Sequence, residues 1–139
     1  MIDRRRFLAA SGAASLAPAW PALAQPPRVP RIGYLVLSPL SDPPSRERQA
    51  FLDALRELGY VAGRTIEIMY ASAQNEQDFI DDVCRDLLGK KPALIVVSGA
   101  IATLAATKAT ASVPIVFMAL GDPVGIGAVR SLARPEANV

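Results

Sequence analysis

The stretch Lys91–Gly127, KPALIVVSGAIATLAATKATASVPIVFMALGDPVGIG, decides the fold. Ala93–Val97 is a short run rich in Ile and Val, launched by Pro92 and broken by Ser98-Gly99-Ala100. Ile101–Thr110 is alanine-rich and long enough for about three helical turns. Val113-Pro114 stops that helix, Ile115–Leu120 is a second apolar run, and Gly121-Asp122-Pro123 ends it. Two continuous apolar runs with a helix between them form a βαβ unit whose strands lie inside a parallel sheet. The crossover is expected to be right-handed. Both turns, Ser98-Gly99-Ala100 and Gly121-Asp122-Pro123, then leave the sheet at the carboxyl ends of its strands, where open α/β sheets bind ligands.

Working outward on the amino-terminal side, Arg31–Leu37 (RIGYLVL) reads as the first strand and Ser38–Pro44 as a turn-rich loop at its carboxyl end. Ser45–Leu58 has Phe51, Leu52, Leu55 and Leu58 on one stripe, so it reads as an amphipathic helix with Glu47, Arg48, Arg56 and Glu57 on the solvated face. Gly59 supplies the positive φ that a helix stop favours. Thr65–Tyr70 (TIEIMY) alternates and reads as an edge strand. Asn75 is placed to cap a second helix, with Glu76 and Asp78 in its first turn and Phe79, Ile80, Val83, Leu87 and Leu88 as its buried stripe. Asp81, Asp82, Arg85 and Asp86 form its solvated face; carboxylates packed on a helix without turn oxygens are a poor cage for a hard cation, and no metal site is expected. On the other side of the central stretch, Val124–Ala133 is apolar at Val124, Ile126, Val129 and Leu132 and predicts a fourth helix. The order β-α-β-α-β-α-β-α predicts an α/β fold, a parallel sheet of about four strands in order 2-1-3-4 with helices on both faces, the flavodoxin-like half.

Residues 1–24, MIDRRRFLAASGAASLAPAWPALA, carry an Arg4-Arg5-Arg6 start, a mildly apolar stretch and a small-x-small site at Ala22-Leu23-Ala24. This reads as a secretory signal peptide cleaved after Ala24, too short for a membrane span. Asp3–Leu8 resembles the twin-arginine export motif, with Asp3 in place of the usual hydroxyl residue. The product is expected in the periplasm after passage through the export machinery, with Gln25–Pro30 as a flexible lead-in and 31–139 as the folded lobe. Removing the leader's three arginines and one aspartate from the 15 basic and 13 acidic residues leaves twelve of each. No basic patch then points to nucleic acid. The 139 residues, 51% hydrophobic and 20% charged, suit one α/β domain. The absence of histidine removes His-based triads and His-ligated metals. The lone Cys84 reads as a buried thiol.

Several features of this succession resemble a known family. They are the leader ending in Ala-x-Ala, Ile32-Gly33-Tyr34, the run Phe51–Tyr60 (FLDALRELGY), Gly63-Arg64, Pro114–Phe117, Asp122-Pro123-Val124, Ser131–Pro135 and Asn138-Val139. Together they are similar to the exported substrate-binding proteins of ABC transporters, in the tryptophan/tyrosine-type group. The resemblance implies a lobe like those of type I periplasmic binding proteins. It implies a second lobe of similar size, so that this chain corresponds to the N-terminal part only, a truncated product or fragment. It further implies an ABC permease as partner, a small-molecule solute as ligand, no cofactor, no bond chemistry, and a monomer when full length. The family usually has Thr-Pro at the start of the third helix, where this chain has Ala100-Ile101.

The candidate site is drawn from the loops expected at the carboxyl edge: Ser38 and Pro39, then Ser98, Gly99, Ala100 and Ile101, then Asp122 and Pro123. The first amides of the third helix have no partner within the helix and carry the positive end of its dipole, which suits a carboxylate. Asp122 suits an ammonium group, and Ser38 and Ser98 offer hydroxyls. A zwitterionic amino acid or another small polar ligand fits this set. The competing readings are an exported enzyme and a sensor domain on the same sheet. Against the enzyme stand the missing histidine, the missing Gly-x-Ser-x-Gly elbow and the missing phosphate loop. Gly125-Ile126-Gly127 lacks the third glycine of a dinucleotide fingerprint and follows the wrong strand. Against a phospho-receiver stand Ser38 and Ser98, where clustered carboxylates would be needed.

Overall fold

Alternation of strand and helix builds a single four-stranded sheet in order β2-β1-β3-β4 with every strand pair parallel. The structure, a computed structural model, describes residues 28–118, 121–134 and 138–139; the expected leader therefore lies outside the described residues. The elements are β1 (Arg31–Val36), α1 (Arg46–Glu57), β2 (Glu67–Ser72), a 3-10 turn (Gln77–Phe79), α2 (Ile80–Gly89), β3 (Leu94–Ser98), α3 (Ala100–Ala109) and β4 (Ile115–Met118). The sheet order and α/β class are those the sequence predicts. From β1 the chain moves one way to β2 and then the other way to β3 and β4. A constant hand of crossover then requires α1 on one face and α2 and α3 on the other.

The packing follows that division. On one face Leu35, Met69, Ile95, Val97 and Ile115 meet Ile80, Cys84 and Leu87 of α2 and Ala102, Ala105 and Ala106 of α3. Each fully buried branched side chain there contributes roughly 2 kcal/mol. Gly33 lies on this face because α2 comes close: a Cβ at that position would meet Leu87 Cδ2 at 2.9 Å. The alanines of α3 serve the same end, and the buried Thr103 hydroxyl is satisfied by the Gly99 carbonyl at 2.8 Å. On the other face Ile32, Tyr34, Ile66 and Val96 pack with Phe51 and Leu55 of α1. The Cys84 thiol is fully buried, and burial pushes its pKa up to about 11.

Four expectations are corrected. The strand expected over Thr65–Tyr70 is displaced to Glu67–Ser72, because Thr65 is spent on the preceding turn: its hydroxyl accepts from Val61 N at 2.7 Å and Ile66 bridges to Ala62. Asn75 does not cap α2. Gln74 and Asn75 both take positive φ, the chain reverses there, and the 3-10 turn that follows leaves Phe79 58% exposed, off the buried stripe. The fourth helix does not form. Residues 123–127 make hydrogen-bonded turns instead, with Ile126 N on the Asp122 carbonyl and Gly127 N on that of Val124. Gly125 and Gly127, the latter at φ 75°, interrupt propagation, and Leu132 is left 67% exposed. Finally, Arg48 is not solvated; it is buried beneath the start of α1.

Candidate functional site at the carboxyl edge

Strand register fixes which turns share an edge. Val36 stands opposite both Ser72 and Ser98, and Ser98 stands opposite Met118. The loops after β1, β3 and β4 therefore leave from one line across the carboxyl ends, and the topology brings Ser38, Pro39, Ser98, Gly99, Ala100, Ile101, Asp122 and Pro123 to the same edge. Their environments differ. Ser38 and Pro39 are exposed, and the Ser38 carbonyl accepts from the Ser72 hydroxyl at 2.7 Å, tying the first loop to β2. Ser98 to Ile101 are half-buried at the β3–α3 turn, and Pro123 is buried while Asp122 is exposed.

The β3–α3 turn is shaped by Gly99. It is the N-cap of α3 at φ 87° and ψ 163°, a region that residues with a Cβ essentially avoid. Its N–H donates to the Met118 carbonyl at 3.2 Å, and its own carbonyl accepts from Thr103 N at 3.1 Å. No side chain caps this helix. The first-turn amides of Ala100 and Ile101 thus keep the positive end of the helix dipole uncompensated by a side chain. The contrast is α1, where the Ser45 hydroxyl accepts from Arg48 N at 3.3 Å. There the Glu47 carboxyl is held below the usual carboxylate range, first by a backbone hydrogen bond at the helix start and then by the Ser45 hydroxyl.

Asp122 is engaged locally. One carboxylate oxygen accepts from Gly125 N at 2.8 Å and closes the turn that replaces the expected helix. The second oxygen packs against Gly125, in the space a Cβ there would fill, and accepts no hydrogen bond from the described residues. Among the described residues no group of three His, Cys, Asp or Glu side chains is placed to hold a metal ion, and no helix is long and apolar enough to cross a membrane. Two surface hollows, one of about 280 Å³ lined by Asp81, Arg85 and Lys108 and one of about 210 Å³ lined by Leu52, Tyr60 and Tyr70, include none of the edge residues.

A second group of side chains at this edge was not foreseen. Arg48, the third residue of α1, donates from its guanidinium to the Ser41 carbonyl in the β1–α1 loop. The same guanidinium carbon lies 5.7 Å from the centroid of the Tyr70 ring. Tyr70 packs against Tyr34 at 5.6 Å between centroids, and Tyr34 against Phe51 at 5.7 Å. Tyr34 pairs with Val96, so Ser98 lies on the same sheet face two residues further along the neighbouring strand. Burial pushes the Tyr34 hydroxyl above its usual range while Arg48 pulls the other way, as the Ser98 side chain also does, and the opposition of burial and Arg48 acts on Tyr70 too. The sequence did hold a signal for Arg48. Positions 48, 51, 52 and 55 follow the i, i+3, i+4, i+7 rule, so this arginine belongs to the apolar stripe by spacing.

The family model described as ABC transporter substrate binding protein matches residues 35–139. The chain belongs to this family. As a substrate-binding family member it is 33% identical over 108 residues to a tyrosine-binding protein of Clostridioides difficile (strain R20291), a match covering 78% of this chain and 30% of that relative. The ligand-free, open structure of a substrate binding protein with adhesive properties from Clostridium difficile superposes with a TM-score of 0.71 at 29% identity, over 80% of this chain and 37% of that one. A conserved domain protein from Vibrio cholerae gives 0.73 at 30% identity, over 81% and 38%. A Streptococcus protein solved in complex with L-Trp gives 0.68 at 23% identity, over 79% and 37%, a likeness of fold. The chain spans 30% of the length of this curated relative.

Proposed function

We propose that this chain is the N-terminal lobe of an exported solute-binding component of an ABC importer, and that its carboxyl edge forms half of a site for a small amino acid. Family membership supports the class, and the relative named for tyrosine binding supports an amino-acid ligand. The observation that carries the reading is the β3–α3 turn: a helix start with no side-chain cap, at the edge where the other two loops also emerge. In this reading the amides of Ala100 and Ile101, beyond the Gly99 turn, receive the solute carboxylate, the second oxygen of Asp122 meets its ammonium, and Ser38 and Ser98 supply hydroxyls beside Pro39 and Pro123. A second lobe closes over the solute by hinge motion, because contacts are more numerous in the closed state. No bond is made or broken. The leader directs the chain to the periplasm by the twin-arginine route, and the loaded protein presents its solute to the permease.

The test is a titration of the isotopically labelled chain with L-tyrosine followed by amide NMR. Half a site is expected to bind weakly, with Kd on the order of 1 mM, about 4 kcal/mol. The expected result is saturable movement of the Ala100 and Ile101 amides and of the residues flanking Asp122. Saturable movement confined to the amino ends of the strands, near Pro30 and Ala93, contradicts the site.

A further inference from the structure

Arg48 is the one buried charged side chain among the described residues, and no carboxylate among them pairs with it. Holding a cation out of water is costly, so its retained contacts call for a reason. Those contacts are specific to arginine. One guanidinium nitrogen donates to the Ser41 carbonyl while the guanidinium carbon lies 5.7 Å from the Tyr70 ring centroid; several donors on a delocalised cation allow both at once, where a lysine ammonium is a compact point charge. Beyond Tyr70 the contacts continue to Tyr34, and the register sets Ser98 on the same face of the neighbouring strand, two residues past the partner of Tyr34. Ser41 lies three residues beyond Ser38 in the first loop, and Ser98 opens the β3–α3 turn. This succession of neighbours runs between two loops that the sequence separates by more than fifty residues.

We propose that Arg48 is a positioning residue for the carboxyl edge: acting through the Ser41 carbonyl and the Tyr70–Tyr34 pair, it couples the geometry of the β1–α1 loop to that of the β3–α3 turn. The consequence for solute binding rests on the reading of the edge given above; the coupling itself does not. Arg48 touches no solute in this account. It sets where the Ser38 hydroxyl stands relative to the α3 amides, so that an altered first loop is felt at Ser98 and the reverse.

The experiment is amide NMR of the full chain for Arg48→Lys, Tyr34→Phe and the control Leu55→Ala, which loosens the same face of α1 without touching either loop. Arg48→Lys is expected to shift the amides of both Ser38–Asp42 and Ser98–Ile101 and to weaken L-tyrosine binding about fivefold or more. Leu55→Ala, although destabilising, is expected to move neither loop. Tyr34→Phe keeps the ring and drops only the hydroxyl, so it decides the matter should Arg48→Lys not fold: the shift is expected to begin at Ser98 and to reach Ser41. A shift confined to the loop nearest each substitution, or equal shifts in Leu55→Ala, overturns the coupling. If the wild-type chain binds no L-tyrosine while Arg48→Lys still moves both loops, the coupling stands and the solute assignment falls.

Discussion

Replacing Gly99 with alanine isolates backbone geometry from every other property of the β3–α3 turn. A Cβ built on Gly99 meets no atom within 4 Å, so the substitution introduces no clash. It does place a side chain at φ 87° and ψ 163°, a conformation that costs of order 1–3 kcal/mol outside glycine. For a folded region of this size that lowers Tm by roughly 5–15 °C. Relaxation is the alternative, and it has a visible consequence. Rotating φ back to negative values swings the Gly99 N–H off the Met118 carbonyl, now 3.2 Å away, and turns the α3 amides from the edge. Two other glycines frame the measurement. Gly33→Ala is strained by contact alone, 2.9 Å from Leu87 Cδ2, and is expected to cost about 1–3 kcal/mol. Gly89→Ala, at the exposed end of α2 with no atom within 4 Å, is expected to be neutral or to stabilise by up to about 1 kcal/mol. The assay is urea unfolding of all three, with amide NMR of residues 98–103 for Gly99→Ala. Native stability and unmoved amides in Gly99→Ala would refute the reasoning, since the strain would then have gone nowhere.

Asp122→Ala removes the acceptor for Gly125 N and is expected to destabilise the chain by about 1 kcal/mol, whereas Asp122→Asn keeps an acceptor oxygen and is expected to leave urea unfolding unchanged. The pair also divides the proposed roles, because loss of L-tyrosine affinity in both variants points to the charge and loss in Asp122→Ala alone points to the turn. Cys84 is expected to resist thiol reagents in the native chain at pH 8 and to react once urea unfolds it. Its folded pKa of about 11 stands above the ordinary value near 9, so the unfolded chain loses this proton first; stability is expected to fall as pH rises from about 9 to about 11, and Cys84→Ala is expected to flatten that part of the profile. Leu87→Ala, emptying a position 1% exposed against Gly33, is expected to cost 2–5 kcal/mol by urea unfolding.

The parallel sheet was legible because an uninterrupted apolar run such as Leu94–Val97 belongs inside a sheet covered on both faces, while the similar run Ile115–Met118 stands at the sheet edge with Val116 51% exposed. Gly59 at φ 86° ends α1 as its position implies. What the sequence hid was decided by contacts distant along the chain. Phe79 has the right spacing for the α2 stripe, yet the reversal at Gln74 and Asn75 starts the helix beyond it. Val124, Ile126, Val129 and Leu132 have helical spacing too, but two glycines and the Asp122 cap favour turns, and only Val129 is buried. Arg48 was assigned to solvent on its charge. Tyr70 and the Ser41 carbonyl, which make its burial tolerable, come close only once β2 lies beside β1.

A crystal structure of the protein grown with L-tyrosine tests most directly whether a solute is gripped by backbone amides at the carboxyl edge. The account predicts the amino-acid carboxylate within hydrogen-bond distance of the Ala100 and Ile101 N–H groups and its ammonium beside Asp122. Tyrosine seated away from the loops after β1, β3 and β4, or recovered from the crystal chemically altered, would contradict it.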